Sequence, residues 1–412
     1  MVISGRFYEL RSHVQHYSWG CRTYGDDVAY ISDLVGVEPD SRPWAELWIG
    51  AHPSLSSEVD RGDGWESLND VIASELEGTL GSDLLSRGFR VLPFLLKVLS
   101  CERALSIQSH PDLDWAHRLH GMNPRRYPDA NHKPEIMIAL TEFHALAGFR
   151  STSAILDDLE CLGSIRMWRQ IWREAVELTP RVFCETLLNL PGSVARVMLQ
   201  DLRRELRSRR EPTERESLAL WLLDQHPCDR GVLFAFLLNY LRFEPGSCVY
   251  IPPNEPHAYL RGTGVECMAN SDNVIRAGLT SKTIDIRALL GTLTFQAGSV
   301  NVCNGISESD GVTLFKCPAR EFQVRFIRGV RFDVSRLAGV PGVALVLSGS
   351  WHFRNESTDQ VGKRGSSWFW PASMRCGTLE PEGDDCLVVI ATVPLEDNNE
   401  KENKSKKLKR SK

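Results

Sequence analysis

The sequence lacks any long run of apolar residues. Its longest nearly unbroken run, at 232–241, has ten residues and includes Asn239, which is half of the roughly 20 that a transmembrane helix needs. The first eleven residues carry Arg6, Glu9 and Arg11 with no apolar block between them, so we expect no secretory signal. The sequence therefore predicts a protein without membrane contact and with a cytosolic location.

Closely spaced cysteines are also absent. The eleven cysteines are scattered from Cys21 to Cys386, no two are closer than ten residues, and no CxxC occurs. Without a secretion signal, this pattern favours reduced structural thiols and tells against a thiolate-ligated zinc ion. Any metal site should therefore use nitrogen and oxygen ligands.

The body of the chain, residues 1–400, lacks a net positive charge. Residues 401–412 carry seven Lys or Arg and one Glu, a net charge of +6, so the total of -5 leaves -11 for residues 1–400. An acidic body gives no electrostatic basis for nucleic-acid binding. We predict a solvated, disordered basic tail at 397–412, with a nuclear-import or polyanion-binding signal as the alternative.

The sequence does have enough apolar residues, 42% of 412, for two to three domains with a core. Up to about residue 150, short apolar runs between Gly and Pro predict strands. Apolar residues then recur at the three- and four-residue spacing of helices, as in 167–178 and 193–206. The predicted domains are a split β domain at 1–150 and 243–300, a helical insertion at 151–242, a second β domain at 301–396 and the tail at 397–412.

A repeated spacing indicates the kind of β domain. GSCVYIP at 246–252 and GSSWFWP at 365–371 each place Gly and Pro around a short strand. Five residues after each Pro stand His257 and Cys376. The first copy resembles the second motif of cupin barrels, in which that His is a metal ligand, and Asn254 replaces the usual Gly because Asn also tolerates left-handed backbone. The resemblance implies a mainly β double cupin (β-barrel or jelly-roll) with an inserted α-helical domain and one metal-free barrel.

Partner ligands for His257 are expected on other strands of the same barrel. In ALSIQSHPD, a strand would place Gln108 and His110 on one face. In NHKPE, the proline biases Lys133 toward extended backbone, so Lys133 and Glu135 should project to a common side. Two imidazoles, a carboxylate and an amide favour Zn²⁺, although Fe²⁺ and Mn²⁺ stay open because two His and one carboxylate also form the facial triad of non-haem iron enzymes. The candidate ligands are Gln108, His110, Glu135 and His257.

In order and wording, residues 1 to about 300 resemble the type I mannose-6-phosphate isomerases (phosphomannose isomerases). The resemblance rests on QHYSWG, AELWIGAHPS, LPFLLKVLSCERALSIQSHPD, NHKPEIMIAL, YIPPNEPHAYL and GVECMANSDNVIRAGLTSK. It implies that the four candidate ligands hold one zinc ion and that Arg276 is the active-site arginine. It also implies interconversion of mannose 6-phosphate and fructose 6-phosphate by proton transfer between C1 and C2 through a cis-enediolate, a reaction that feeds GDP-mannose biosynthesis.

The remaining candidates follow from what this reaction requires. A phosphate group needs cations, and a proton shuttle needs a pKa near neutrality. Glu266 is the first candidate for the shuttle, since it would face the cavity if its strand runs back alongside, and Lys133 and Tyr259 are rivals. Glu46 could hydrogen-bond the sugar or a zinc-bound water. The candidate cations are Lys97, Lys133, Arg276 and Lys282.

Two other functions stay open on the sequence. The first is an iron-dependent dioxygenase that uses His110, Glu135 and His257. The second is a sugar or phosphate sensor without catalysis, whose mark would be damaged ligands or a missing Arg276, and the sequence has neither. We expect a phosphosugar substrate, no nucleic-acid or membrane partner, and a monomer.

Overall fold

The computed structural model of the protein describes residues 5–38, 40–62, 64–165 and 178–395. The predicted helix at 167–178 lies outside these residues except for Leu178. The strands are β1 Tyr8–Arg11, β2 His13–Gln15, β3 Glu46–His52, β4 Leu55–Ser56, β5 Glu58–Asp60, β6 Trp65–Ser67, β7 Phe94–Cys101, β8 Ile107–Ser109, β9 Glu135–Ala139, β10 Phe143–Phe149, β11 Leu238–Phe243, β12 Ser247–Ile251, β13 His257–Ala269, β14 Ile275–Gly278, β15 Val302–Asn304, β16 Ile306–Ser309, β17 Val312–Phe315, β18 Gln323–Arg328, β19 Phe332–Asp333, β20 Gly342–Ser348, β21 Ser350–Arg354, β22 Asp359–Lys363, β23 Ser367–Trp370, β24 Thr378–Pro381 and β25 Leu387–Thr392.

Five of the ten α-helices of the described residues lie between β10 and β11. They are α1 Tyr30–Leu34, α2 Leu68–Ser74, α3 Leu76–Ser86, α4 Leu113–Met122, α5 Thr152–Glu160, α6 Pro180–Asn189, α7 Gly192–Ser208, α8 Glu214–Gln225, α9 Phe234–Leu237 and α10 Ile286–Thr292.

A twelve-stranded sheet holds the predicted ligand segments. Its central path runs β15-β12-β9-β13-β7-β3-β2, and β4, β8, β10, β11 and β14 pair onto it. Every residue of β3, β7 and β9 is buried, which explains why these strands read as nearly continuous apolar runs. Successive side chains of β7 point to opposite faces, so Leu96 and Val98 enter the main core while Lys97 points to the other side.

A nine-stranded sheet and a four-stranded sheet pack face to face in the C-terminal third. Their orders are β16-β17-β18-β25-β20-β23-β1-β5-β6 and β19-β24-β21-β22. The Phe353 ring of one sheet stacks 4.4 Å from the Trp368 ring of the other. Because β1, β5 and β6 come from the first 70 residues and join the nine-stranded sheet, sheet membership does not follow chain order. The predicted mainly β fold with inserted helices is confirmed.

The helices between residues 152 and 237 share one apolar core. Residues such as Leu187 of α6, Leu199 of α7 and Leu222 of α8 are fully buried, and the same core includes Ile275 of β14. The predicted helical texture up to residue 242 is wrong at its end, because 238–243 is strand β11, which pairs with β10. The helices therefore pack directly behind a strand of the twelve-stranded sheet.

No single helix of the described residues is long and apolar enough to cross a membrane. The bent pair α6 and α7, at 109° to each other, passes the length and composition test only when the two are taken together.

Candidate active site and metal centre

A cavity of about 710 Å³ opens beside the twelve-stranded sheet. Most of the candidate residues line it: Glu46, Lys97, Gln108, Lys133, Glu135, Tyr259, Glu266, Arg276 and Lys282. The two candidate histidines, His110 and His257, are at most 1% exposed and contact the carboxylate of Glu135. The fold thus gathers side chains from positions 46 to 282 around one cavity.

Two imidazoles and one carboxylate meet at Glu135, a residue that lines this cavity. His110 Nε2 lies 3.3 Å from Glu135 Oε1, and His257 Nε2 lies 3.4 Å from Glu135 Oε2. Among the described residues, these three are the group of His, Cys, Asp and Glu whose ligand atoms all lie within 4.8 Å of one another. The arrangement is that of a metal site.

The hydrogen bonds of the two rings direct their lone pairs to the same place. His110 Nδ1 lies 2.6 Å from the main-chain oxygen of Asn273, and His257 Nδ1 lies 3.1 Å from that of Glu255. A carbonyl only accepts, so each Nδ1 must donate and a neutral ring is left with a lone pair on Nε2. Burial lowers the pKa of His110 to about 4, so this ring is neutral at pH 7. Its Nε2 therefore has no proton to offer to Glu135.

The donor set fits a divalent cation. His110 Nε2 is buried and has no hydrogen-bond partner among the described residues, as expected of an atom meant for a metal. Two lone pairs facing a buried carboxylate repel each other unless a cation lies between them. The side-chain amide of Gln108 lies 3.5 Å from His257 Nε2 and can present its oxygen by an amide flip. Nitrogen and oxygen donors of this kind match zinc.

A turn before His257 holds the His110 segment in place. Asn254 has a φ of +66°, the left-handed backbone expected at this position of the motif. Its main-chain N–H donates to the His110 carbonyl at 2.6 Å, and its side chain bonds to both the main chain and the carboxylate of Asp112. In addition, Gln108 stands opposite both His257 and Arg276 in the strand register. The loop and the pairing together set the spacing of the site.

Lys133 supplies a cation beside the candidate ligands. Its Nζ lies 2.8 Å from Glu135 Oε1, and both side chains are at most 9% exposed. Burial acts to raise the pKa of Glu135, but the ammonium group of Lys133 outweighs it and holds that pKa well below its usual range. Glu135 is therefore ionised at neutral pH.

A second buried ion cluster lies farther along the cavity wall. Lys97 Nζ is 3.1 Å from Glu266 Oε2 and 3.6 Å from Glu46 Oε1. Trp48 Nε1 donates to the other oxygen of Glu46 at 2.5 Å. Burial raises the pKa of Glu266 even though Lys97 opposes this effect. Because two carboxylates already neutralise the ammonium group of Lys97, it is a weaker candidate for phosphate binding than Arg276.

Arg276 is a cation of the cavity wall that has no carboxylate partner among the described residues. It lies on β14, is half-buried, and has no ion pair among the described residues. Burial, followed by the charge of Arg126, lowers its pKa, yet an arginine stays charged at neutral pH. Lys282 lies on the same cavity and is exposed. These two side chains can take an anionic group at the open side.

Sequence reasoning missed part of the cavity wall. Arg103 is exposed there, and Gln225 and His226 reach it from the C-terminal end of α8. Gln225 Oε1 accepts from the main-chain N–H of Ala104 at 3.1 Å, which fixes the Arg103 loop against the helix. Arg103 lies within a segment that resembles the isomerases, so the sequence alone could have identified it as a candidate. No pattern marked the end of α8.

Fold and site define a metal-binding double cupin whose cavity is lined by cations and carboxylates. Residues 7–152 match the family model of the phosphomannose isomerase type I catalytic domain. Mannose-6-phosphate isomerase 1 of Arabidopsis thaliana is 35% identical over 390 residues, 89% of this chain and 90% of the relative. The mannose-6-phosphate isomerase of Schizosaccharomyces pombe is 33% identical over 382 residues, 85% of this chain and 91% of the relative.

Solved structures agree with these relatives. The crystal structure of mannose 6-phosphate isomerase from Salmonella typhimurium, bound to its substrate fructose 6-phosphate and to zinc, superposes with a TM-score of 0.82 at 28% identity, covering 95% of this chain and all of that one. The chain belongs to the type I mannose-6-phosphate isomerase family. The family predicted from the six sequence segments is confirmed.

Proposed function

We propose that this protein is a zinc-dependent isomerase that interconverts mannose 6-phosphate and fructose 6-phosphate. The observation that carries the proposal is the buried set of His110, Glu135 and His257, which adjoins a cavity lined by Arg276, an arginine without an ion pair among the described residues. The relatives named above are mannose-6-phosphate isomerases, and the Salmonella enzyme holds zinc together with fructose 6-phosphate. The product mannose 6-phosphate would feed GDP-mannose biosynthesis, and we propose a monomer in the cytosol.

The four candidate ligands would hold the metal: Gln108, His110, Glu135 and His257. When bound, zinc supplies a Lewis acid that stabilises the negative charge developing on the sugar oxygens. Glu135 is the one ionised group of the four, so the site keeps a formal charge of +1 and stays electrophilic.

Arg276 and Lys282 would bind the phosphate of the substrate. A guanidinium fork matches two phosphate oxygens, and Arg276 has no carboxylate competing for it among the described residues. Arg103 lines the same cavity and is exposed, which makes it a third phosphate contact. Binding at this side would orient the sugar with C1 and C2 toward Glu135.

Glu266 is our candidate for the group that moves the proton between C1 and C2. It lies on β13 within the cavity, 3% exposed, and burial raises its pKa. A raised pKa lets a carboxyl group take up and release a proton near neutrality. Lys133 is the rival, since its Nζ also lines the cavity, but it is tied to Glu135 at 2.8 Å. Glu46 and Tyr259 lie beside these groups and would contact the sugar.

The proposal is tested by measuring zinc content and turnover of mannose 6-phosphate on the same samples. Glu135→Ala and His257→Ala should lose both, whereas the matched control His117→Ala, an exposed position on α4, should keep both. Arg276→Ala and Glu266→Gln should keep zinc and lose rate. Full turnover in a zinc-free His257→Ala protein would rule the proposal out.

A further inference from the structure

We propose that Cys248 and Cys303 are a site of reversible oxidation, at which a hydroperoxide converts the two thiols into a disulfide bond. The two sulfur atoms lie 3.2 Å apart. Among the described residues, no other two cysteine sulfurs lie within hydrogen-bonding distance of each other. The site is separate from the metal centre and plays no part in the isomerisation.

The backbone already has the geometry that a disulfide requires. Cys248 of β12 and Cys303 of β15 are direct partners in an antiparallel ladder. Directly opposed residues in such a ladder have Cα atoms about 4.5 or 5.5 Å apart, and both values fall in the range of about 4.4–6.8 Å found for disulfides. The neighbouring pair is held as well, because Ser247 Oγ donates to Asn304 Oδ1 at 2.8 Å. The bond can form without moving the strands.

The two thiols differ in access, which assigns their roles. Cys303 is exposed, whereas Cys248 is 2% exposed, and burial raises the pKa of Cys248. An oxidant in solution therefore reaches Cys303 first, and Cys248 lies beside it as the second thiol that completes the disulfide.

Both steps balance with hydrogen peroxide as the oxidant. The thiol of Cys303 loses its proton, the resulting thiolate attacks one peroxide oxygen and the O–O bond breaks, so that the sulfur becomes a sulfenic acid and the departing hydroxide takes up that proton as one water. The sulfur of Cys248 then attacks the Cys303 sulfur, the S–O bond breaks, and hydroxide leaves with the Cys248 proton as a second water. Two thiols are oxidised and one peroxide is reduced to two waters. A dithiol reductant reverses the bond by exchange.

The crosslink would fix an exposed edge. All three residues of β15 are exposed, and β15 pairs only with β12 among the described strands. β12 in turn pairs with β9, where Ile251 stands opposite Glu135. A bond between residues 55 positions apart restricts the unfolded chain, so the oxidised protein should melt at a temperature higher by roughly 5 °C. Since the strands do not move, isomerase activity should be retained.

A thiol count and a peptide map on the zinc-loaded full-length chain test the proposal. After one equivalent of hydrogen peroxide, the thiol count in denaturant should fall from eleven to nine, and the peptide map should show Cys248 linked to Cys303. Dithiothreitol should restore all eleven. Cys303→Ser should abolish the linked peptide and the rise in melting temperature. It replaces an exposed side chain, so its folding should be intact.

Cys317→Ser is the matched control. The Cys317 thiol is a partly buried neighbour of the pair, and this variant should still form the Cys248–Cys303 bond. The proposal is wrong if Cys303 ends as a sulfinic acid without a partner. It is equally wrong if Cys303 is linked to Cys317, or if the two thiols survive peroxide while other cysteines are oxidised.

Discussion

The buried charge of Lys97 gives a quantitative test of how the cavity is held together. Lys97 is 5% exposed and lies 3.1 Å from Glu266 and 3.6 Å from Glu46. With an effective dielectric constant of about 20, each attraction is worth about 5 kcal/mol before desolvation is counted. Replacing Lys97 by Met keeps most of the aliphatic side chain but removes the ammonium group over the Trp48 ring and leaves two buried carboxylates without a cation. Breaking buried pairs in this way typically costs about 3–5 kcal/mol.

We therefore expect Lys97→Met to lower the free energy of unfolding by about 3–5 kcal/mol at pH 7. Guanidinium denaturation followed by tryptophan fluorescence measures this loss. The exposed Lys316→Met is the control and should change the free energy by less than about 0.5 kcal/mol. Adding Glu266→Gln to Lys97→Met should recover about half of the loss, since one of the two unpaired carboxylates is then neutral.

The pH dependence of the loss follows from the sign of the pKa shift. Burial already raises the pKa of Glu266, and removal of the Lys97 ammonium should raise it further. A carboxyl group whose pKa is higher in the folded state takes up a proton on folding, so the stability of the variant rises as the pH falls. The gap to the unmodified protein should be larger at pH 8 than at pH 5. A loss below about 1 kcal/mol, or a gap that is the same at both pH values, would refute the reasoning.

Three further predictions concern the surroundings of the site. Asn254→Ala should lower the free energy of unfolding by about 2–3 kcal/mol, because alanine loses the hydrogen bonds to Asp112 and is strained at a φ of +66°. Asn254→Gly loses the same hydrogen bonds without the strain, so its free energy of unfolding should fall by less. Equal losses in the two variants would contradict the contribution of the left-handed backbone. Glu321 lies 3.0 Å from His132 Nε2, and although burial acts to raise its pKa, His132 and Arg320 outweigh burial and lower it. Its stabilisation, about 1–3 kcal/mol relative to Glu321→Gln, should be full at pH 7 and should be lost progressively as the pH falls from about 4.5 through the lowered pKa of the folded state. Urea titrations at pH 7 and pH 4 should therefore give a smaller difference at pH 4, and a constant difference would be evidence against the pair. Chelation of the metal should lower the melting temperature of the unmodified protein by several degrees, and added zinc should restore it. The Glu135→Ala variant should melt at the same temperature with or without zinc. A rise in its melting temperature on addition of zinc would place the ion elsewhere.

The sequence pointed to His110, Glu135 and His257, the three side chains that the structure brings together, because each of them sits in a local pattern. Gly246, Pro252 and His257 mark one motif, and Gln108 and His110 are two residues apart on or beside one strand. Their meeting with Glu135 still required the antiparallel pairing of β8, β9 and β13. The family resemblance made that pairing predictable, because the same segments occur in the same order.

Long-range pairing of short elements could not be predicted in this way. β1 has four residues, and its partner β23 lies more than 350 positions further along the chain, so no local pattern announces the pairing. Residues 238–243 carry apolar side chains at spacings that suit a helix or a strand, and the pairing with β10 decided the outcome. Gln225 and His226 reach the cavity only because the helices pack against β14. In each case tertiary contact decides what local pattern leaves open.

The most direct test of the central claim is a zinc titration of the chelated protein, with fructose 6-phosphate formation from mannose 6-phosphate followed by NMR. We expect no product from the metal-free protein, and a rate that rises in proportion to added zinc and saturates at one ion per chain. Product formation at full rate without metal would contradict the account, as would the absence of fructose 6-phosphate from the fully loaded protein.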